Sequence, residues 1–183
     1  MKLNRLSPLS LIILLLLSFT AFSFAQPSKE IDAKVDLAIA QFKKEVTGGA
    51  VFLPKVKGYL VFPAVIKGGF IIGAEYGEGA LRINGESKHY YSMTSASIGY
   101  QAGAQVYSVV IAFVSDISLN NFIKSSGWEA GVDGSIAVTD WGKGKDISSM
   151  SFEKSIVAFV YSQKGLMAGV TIKGTKFLRI IPQ

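Results

Sequence analysis

Between Ser95 and Val106 the sequence alternates residue by residue. Ser97, Gly99, Gln101, Gly103 and Gln105 fall on one side, and Ile98, Tyr100, Ala102, Ala104 and Val106 on the other. An extended strand, whose successive side chains point to opposite faces, separates these two sets, whereas a helix would mix them. Tyr107 to Val114 follows directly and is apolar on both faces, as expected of a strand at the centre of a covered sheet. A chain with this pattern folds around strands, and its neighbours in sequence have to supply their partners.

The two-residue period begins near residue 58. Tyr59-Leu60-Val61-Phe62 reads as a short buried strand stopped by Pro63, and Phe70 to Tyr76 as another. Gly77-Glu78-Gly79 then allows a bulge or bend before Ala80 to Ile83. Asn84-Gly85 is the strongest two-residue hairpin signal in the chain, with a return strand from His89 to Ser92. Trp128 to Thr139 alternates again, residues 140 to 150 read as a loop, and strands at Ser155 to Ser162, Leu166 to Lys173 and Phe177 to Ile181 complete the set. Two stretches have helical spacing instead. Ile31, Val35, Ile39, Phe42 and Val46 form one apolar stripe behind a cap at Ser28, with Gly48-Gly49 as the stop. Leu119, Phe122 and Ile123 form a shorter one, capped by Asp116 or Ser118. The fold expected is α+β and mainly β: seven or eight antiparallel strands in a closed or nearly closed sheet, an N-terminal amphipathic helix and one short inserted helix.

Residues 1 to 25 stand apart from this pattern. Lys2 and Arg5 precede an apolar stretch from Leu9 to Phe24, and Ser23-Phe24-Ala25 places small residues at −3 and −1 of a cleavage point before Gln26-Pro27. That is the layout of a secretory signal peptide, so the expected mature chain is a single domain over 26–183, exported to the periplasm or beyond. An uncleaved membrane anchor is the competing reading, although the stretch is short for a bilayer span. The chain has 183 residues, 49% of them hydrophobic and 17% charged, which excludes a disordered chain. There is no cysteine, which excludes disulfides, thiolate metal sites and a lipid-modified cysteine at the cleavage point. Once Lys2 and Arg5 are removed, 17 Lys and Arg face 13 Asp and Glu, a mild basic excess. It suits anionic lipid, but no dense basic stripe points to nucleic acid.

A catalyst is hard to assemble from these residues. Serine chemistry needs a base, and the single histidine, His89, lies beside the hairpin turn. Ser97-Ile98-Gly99 ends like a nucleophile elbow, but Ser95 occupies the place of its first glycine. Glu75 and Glu78 resemble a glycosidase pair, but an offset of three places them on opposite faces of a regular strand. No zinc spacing, calcium loop, dinucleotide fingerprint or phosphate-binding loop can be written. The reading is a non-enzymatic domain without cofactor or metal.

Several blocks occur in a familiar order. They are Gly58 with Leu60-Val61-Phe62-Pro63, Gly68-Gly69-Phe70, Gly73 to Leu81, Tyr90-Tyr91-Ser92, Ser97 to Gln105, Gly127-Trp128-Glu129-Ala130-Gly131-Val132-Asp133 and Gln163 to Val170. Together, from about Ile31 to Ile181, they resemble the SYLF domain, a lipid-binding family also known as the Ysc-type actin-binding domain. The resemblance implies a membrane-associated binding domain. Eukaryotic relatives bind phosphoinositides with help from an N-terminal amphipathic helix and basic residues, a yeast relative bundles actin, and bacterial relatives are commonly exported. Actin does not suit an exported bacterial chain, so the expected partner is anionic phospholipid. The residues expected to meet it are Phe42 on the helix stripe and the cations Lys43, Lys44, Lys55, Lys57 and Lys67. Two alternatives stand beside this reading. One is an envelope structural or partner-binding domain that uses no lipid. The other is an outer-membrane β-barrel, which the two-sided apolar strand and the helix argue against.

Overall fold

The computed structural model describes residues 26–69, 72–98, 103–140, 146–148, 154–165 and 172–183. The segment 1–25 lies outside the described residues, as do most of Leu166 to Lys173 and much of the 140–150 loop. Helix α1 (Ser28–Glu45) is followed by one turn of helix α2 (Gly49–Phe52) and a 3-10 turn (Leu53–Lys55). The strands are β1 (Gly58–Gly69), β2 (Ile72–Ile83), β3 (Glu86–Ile98), β4 (Gly103–Phe113), β5 (Trp128–Glu129), β6 (Ala137–Asp140), β7 (Ile156–Gly165) and β8 (Lys176–Ile180). Helix α3 (Asp116–Lys124) separates β4 from β5.

All eight strands form one sheet in the order β5-β8-β3-β2-β1-β4-β7-β6. The expected antiparallel, closed or nearly closed sheet is corrected in two respects. The sheet is open, with β5 and β6 at its edges, and it is mixed, because β6 runs parallel to β7. Periodicity reports which face a side chain takes but says nothing of strand direction or closure, which depend on distant pairing.

Pro63 does not stop β1. The ladder shifts register between Val61 and Val65 on one side and between Phe62 and Val65 on the other, so the residue without an N–H falls in a bulge. The Ser108 hydroxyl donates to the Pro63 carbonyl at 2.7 Å. The bulge allowed at Gly77 to Gly79 therefore lies on the partner strand, and those glycines make room for it. A Cβ on Gly79 would stand 2.0 Å from the Val61 carbonyl oxygen. Asn84 and Gly85 both have positive φ, 53° and 82°, as the two-residue turn requires. The alternating run from Ser95 to Val106 is divided between β3 and β4, which are not neighbours in the sheet. The Trp128–Thr139 run is likewise broken by a turn in which Glu129 N–H donates to Asp133 Oδ2 at 2.7 Å and Gly131 takes φ 92°.

Each face of the sheet carries a core. On one, Leu60, Phe62, Tyr107, Val109, Ile111 and Phe113 pack with Phe122 of α3 and with Trp128 and Phe177. On the other, Val61, Ala80, Val110, Ala112, Val157 and Phe159 are covered by α1, Phe52 and Leu53. The stripe Ile31, Val35, Ile39, Phe42 and Val46 lies entirely in this second core. Burying each such side chain contributes about 1.5–3 kcal/mol, which explains why α1 settles on the sheet. Its N-cap is Pro27, not Ser28, and no side chain caps it. For α3 the cap is Ser115, one residue before the expected Asp116, with Ser118 N–H donating to its hydroxyl.

Candidate binding surface

Helix α1 is fastened by polar contacts as well as by its stripe. Arg82 on β2, itself buried, donates to Asp36 Oδ1 at 2.8 Å, to the Asp32 carbonyl at 3.4 Å and to the Gly85 carbonyl at 3.2 Å. Ser87 and Tyr90 of β3 donate to the two carboxylate oxygens of Asp32, at 2.5 and 2.9 Å. Tyr161 of β7 donates to the Ala38 carbonyl at 2.8 Å, and Ser162 N–H donates to Glu45 at 3.1 Å. These contacts span the helix from its second turn to its end, so its position over the sheet is set along its whole length.

The end of α1 opens onto a cleft of about 300 Å³ lined by Lys43, Leu53, Pro54, Val56, Gly58, Tyr59, Asn84 and Gly85. The 3-10 turn and the β2–β3 hairpin form its walls. Tyr59 stands opposite Arg82 in the β1–β2 register. Its phenol is held above the usual tyrosine range by burial, with Arg82 opposing that shift and Asp36 adding to it.

The six residues singled out for lipid contact divide between this corner and the interior. Lys43 lines the cleft, and Lys43, Lys44, Lys55 and Lys57 are all exposed. Lys55 Nζ reaches the Ser148 carbonyl at 3.5 Å and Lys57 pairs with Asp116 at 3.0 Å. Among the described residues, Lys43 and Lys44 have no carboxylate at ion-pair distance. The other two require correction. Phe42 is fully buried, with its ring 5.5 Å from Phe159 and 5.4 Å from Tyr161, so it belongs to the core and offers nothing to a bilayer. Lys67 points into the opposite core, 2.9 Å from Glu75, and the two side chains are only 8% and 2% exposed. Tyr107 donates to the other oxygen of Glu75 at 2.8 Å. Burial, with the Glu75 charge beside it, keeps the Tyr107 phenol protonated far above its ordinary range.

The candidate catalytic groups do not converge. Glu75 is occupied by Lys67 and Tyr107 on one face, while Glu78 accepts from Tyr76 on the other. His89 faces Arg179 Nη2 at 2.6 Å, and burial and the Arg179 charge lower its basicity. Among the described residues no group of acids and histidine could hold a metal ion. No described helix is long and apolar enough to cross a membrane.

Residues 94–179 match the family model Ysc84, described as Las17-binding protein actin regulator. That segment is similar to the Ysc84 family. The match runs from the second half of β3 to β8, and so includes both strands of the β4–β7 pair and helix α3. It bears out the resemblance read from the ordered blocks, since Ysc84 is the SYLF family, a family of binding domains. A search of curated proteins found no match. The basic corner lies on α1, the 3-10 turn and the start of β1, all ahead of the matched segment.

Sequence reasoning missed three features of this surface. Tyr59, Asn84 and Gly85 were legible as a strand residue and a turn, but nothing in their spacing placed them beside Lys43. Arg82 carried no signal of its role in fastening α1. An apolar row also went unnoticed: Ile66, Tyr76 and Val106 are direct cross-strand neighbours on β1, β2 and β4, and are 59%, 43% and 41% exposed.

Proposed function

We propose that this domain is a non-enzymatic module of the cell envelope that holds to anionic phospholipid through the basic corner at the end of α1. The observation that carries the reading is Lys43, an exposed cation without an acidic partner among the described residues, lining a cleft beside exposed Lys44, Lys55 and Lys57. Each lysine near an anionic surface contributes about 1 kcal/mol, so the corner suits a salt-sensitive, peripheral attachment. The helix stripe plays no part in this version, because its side chains are committed to the sheet. Lys2, Arg5, the apolar run Leu9 to Phe24 and the small residues before Gln26 support a location outside the cytoplasm. An exported chain does not meet actin, so the actin-regulator description of the family is not carried over.

The test is co-sedimentation with liposomes. The protein should pellet with vesicles containing phosphatidylserine or phosphatidylglycerol and stay in the supernatant with pure phosphatidylcholine. Lys43→Glu with Lys44→Glu should reduce binding about tenfold or more, since each reversal replaces an attraction with a repulsion. A folded double variant that binds as well as the wild type would remove the corner from the mechanism. A second reading, a partner-binding domain without lipid, is favoured by the apolar row Ile66, Tyr76 and Val106. Failure to bind vesicles of any headgroup would leave that reading in place of the first.

A further inference from the structure

One hydrogen bond, far from the cleft, ties the first described residue to the middle of β2. The Gln26 N–H donates to Glu78 Oε2 at 3.3 Å, and the Tyr76 hydroxyl donates to Oε1 of the same carboxylate at 2.5 Å. Glu78 is half-buried, and among the described residues no cation stands at ion-pair distance from it. Its two donors are thus an amide and a phenol, both neutral. The surrounding segment is held by other contacts: Gln26 Nε2 donates to Glu30 at 3.3 Å, Ser28 N–H to the Gln183 backbone oxygen at 3.4 Å, and Glu30 and Ile31 N–H to the Pro27 carbonyl.

We propose that cleavage between Ala25 and Gln26 turns this hydrogen bond into an ion pair, so that removing the leader itself tightens the start of α1 onto β2. A leader peptidase hydrolyses the peptide bond. The carbonyl carbon of Ala25 takes the hydroxyl of water, the nitrogen of Gln26 takes the proton, and the resulting amine binds a further proton from solvent. An α-amino group has an ordinary pKa of about 7.7–8.0, so at neutral pH the nitrogen beside Glu78 carries a positive charge. A charge-assisted hydrogen bond is roughly twice as strong as a neutral one. The Glu78 carboxylate, which has no cation at ion-pair distance among the described residues, gains one at the moment of processing. This inference does not depend on lipid binding; it depends on the cleavage point.

The pH dependence follows from the groups around the new terminus, which are Glu78 and Tyr76 from β2, Glu30 from α1, and Gln183. Glu78 raises the pKa of the amine in the folded state. Its contribution is therefore complete below the unfolded value and is lost as pH rises through the folded one. The experiment uses the full chain with its own leader, expressed in a secreting bacterial host and analysed by intact mass and thermal unfolding. The comparison chain carries Ala-Ser inserted after Ala25; cut ahead of the insert or uncut, as intact mass verifies, it has no charged nitrogen at Gln26. The wild-type product should begin at an open Gln26 and melt about 1–3 °C above the inserted chain near pH 6.5. That difference should vanish in a Glu78→Gln background and at about pH 9.5. Equal melting of the two chains at pH 6.5 would overturn the proposal. So would a product cut elsewhere, or one whose Gln26 has closed to the uncharged pyroglutamyl ring.

Discussion

Lys67, Glu75 and Tyr107 form the most exacting local arrangement in the molecule. An ion pair this buried contributes little net stability over an apolar pair, but breaking it strands a charge. Lys67→Met should therefore cost about 3–5 kcal/mol in urea unfolding, while Lys67→Met with Glu75→Leu should recover most of that loss. A single variant as stable as the wild type would show that the pair is open to water. His89 gives a second prediction at this scale. Burial and Arg179 hold its folded-state pKa below the ordinary 6.5, so the unfolded chain takes up the proton first. Stability should fall as pH drops through 6.5 towards the lowered folded value and level off beneath it. His89→Gln should flatten that slope in melting curves recorded between about pH 5 and 7.5.

Among the elements, α1 decides which version of the binding mechanism survives. Its stripe has the spacing of a membrane-surface helix, and the same spacing suits a helix on a sheet. The sheet offers it Val61, Val110, Val157 and Phe159, and Arg82 clamps its polar side. Phe42→Ala should thus cost about 3–5 kcal/mol of stability, as large-to-small core substitutions do, and leave the lipid affinity of the remaining folded protein unchanged. A stable variant with lost vesicle binding would return the stripe to the membrane. The hairpin at Asn84-Gly85 and the two-sided strand β4 were legible in the sequence, because turn chemistry and local period are properties of adjacent residues. The bulge at Pro63 was not legible, since the sequence allowed a bulge or bend only at Gly77 to Gly79 on the partner strand. Gly77 and Gly79 signal close approach, but only the β1–β2 register shows that the crowding comes from Val61 and Ala64.

At the scale of the whole molecule, the basic corner and the apolar row Ile66, Tyr76 and Val106 lie at opposite ends of β1. The cleft is lined by residues at its first position, Gly58, whereas Ile66 stands three residues before its last, Gly69. The two surfaces are therefore separable by mutation. Charge reversal at Lys43 and Lys44 tests one without touching the other. The open edges of the sheet, the parallel β6–β7 pair and the placing of β3 and β4 in different neighbourhoods were not legible. Each depends on contacts between residues far apart in sequence.

What the residues determined by themselves was local: the strand period, the Asn84-Gly85 turn and the two helical stripes. Backbone geometry and side-chain type suffice for these, since they act over a few positions. Only the tertiary structure decided that the α1 stripe is covered, that Lys67 belongs to Glu75 and not to a surface, and that Lys43 shares a cleft with Tyr59 and Asn84. An apolar face or a lysine carries the same chemistry wherever it goes. Which surface finally receives it is settled by the partners that the sheet brings within reach.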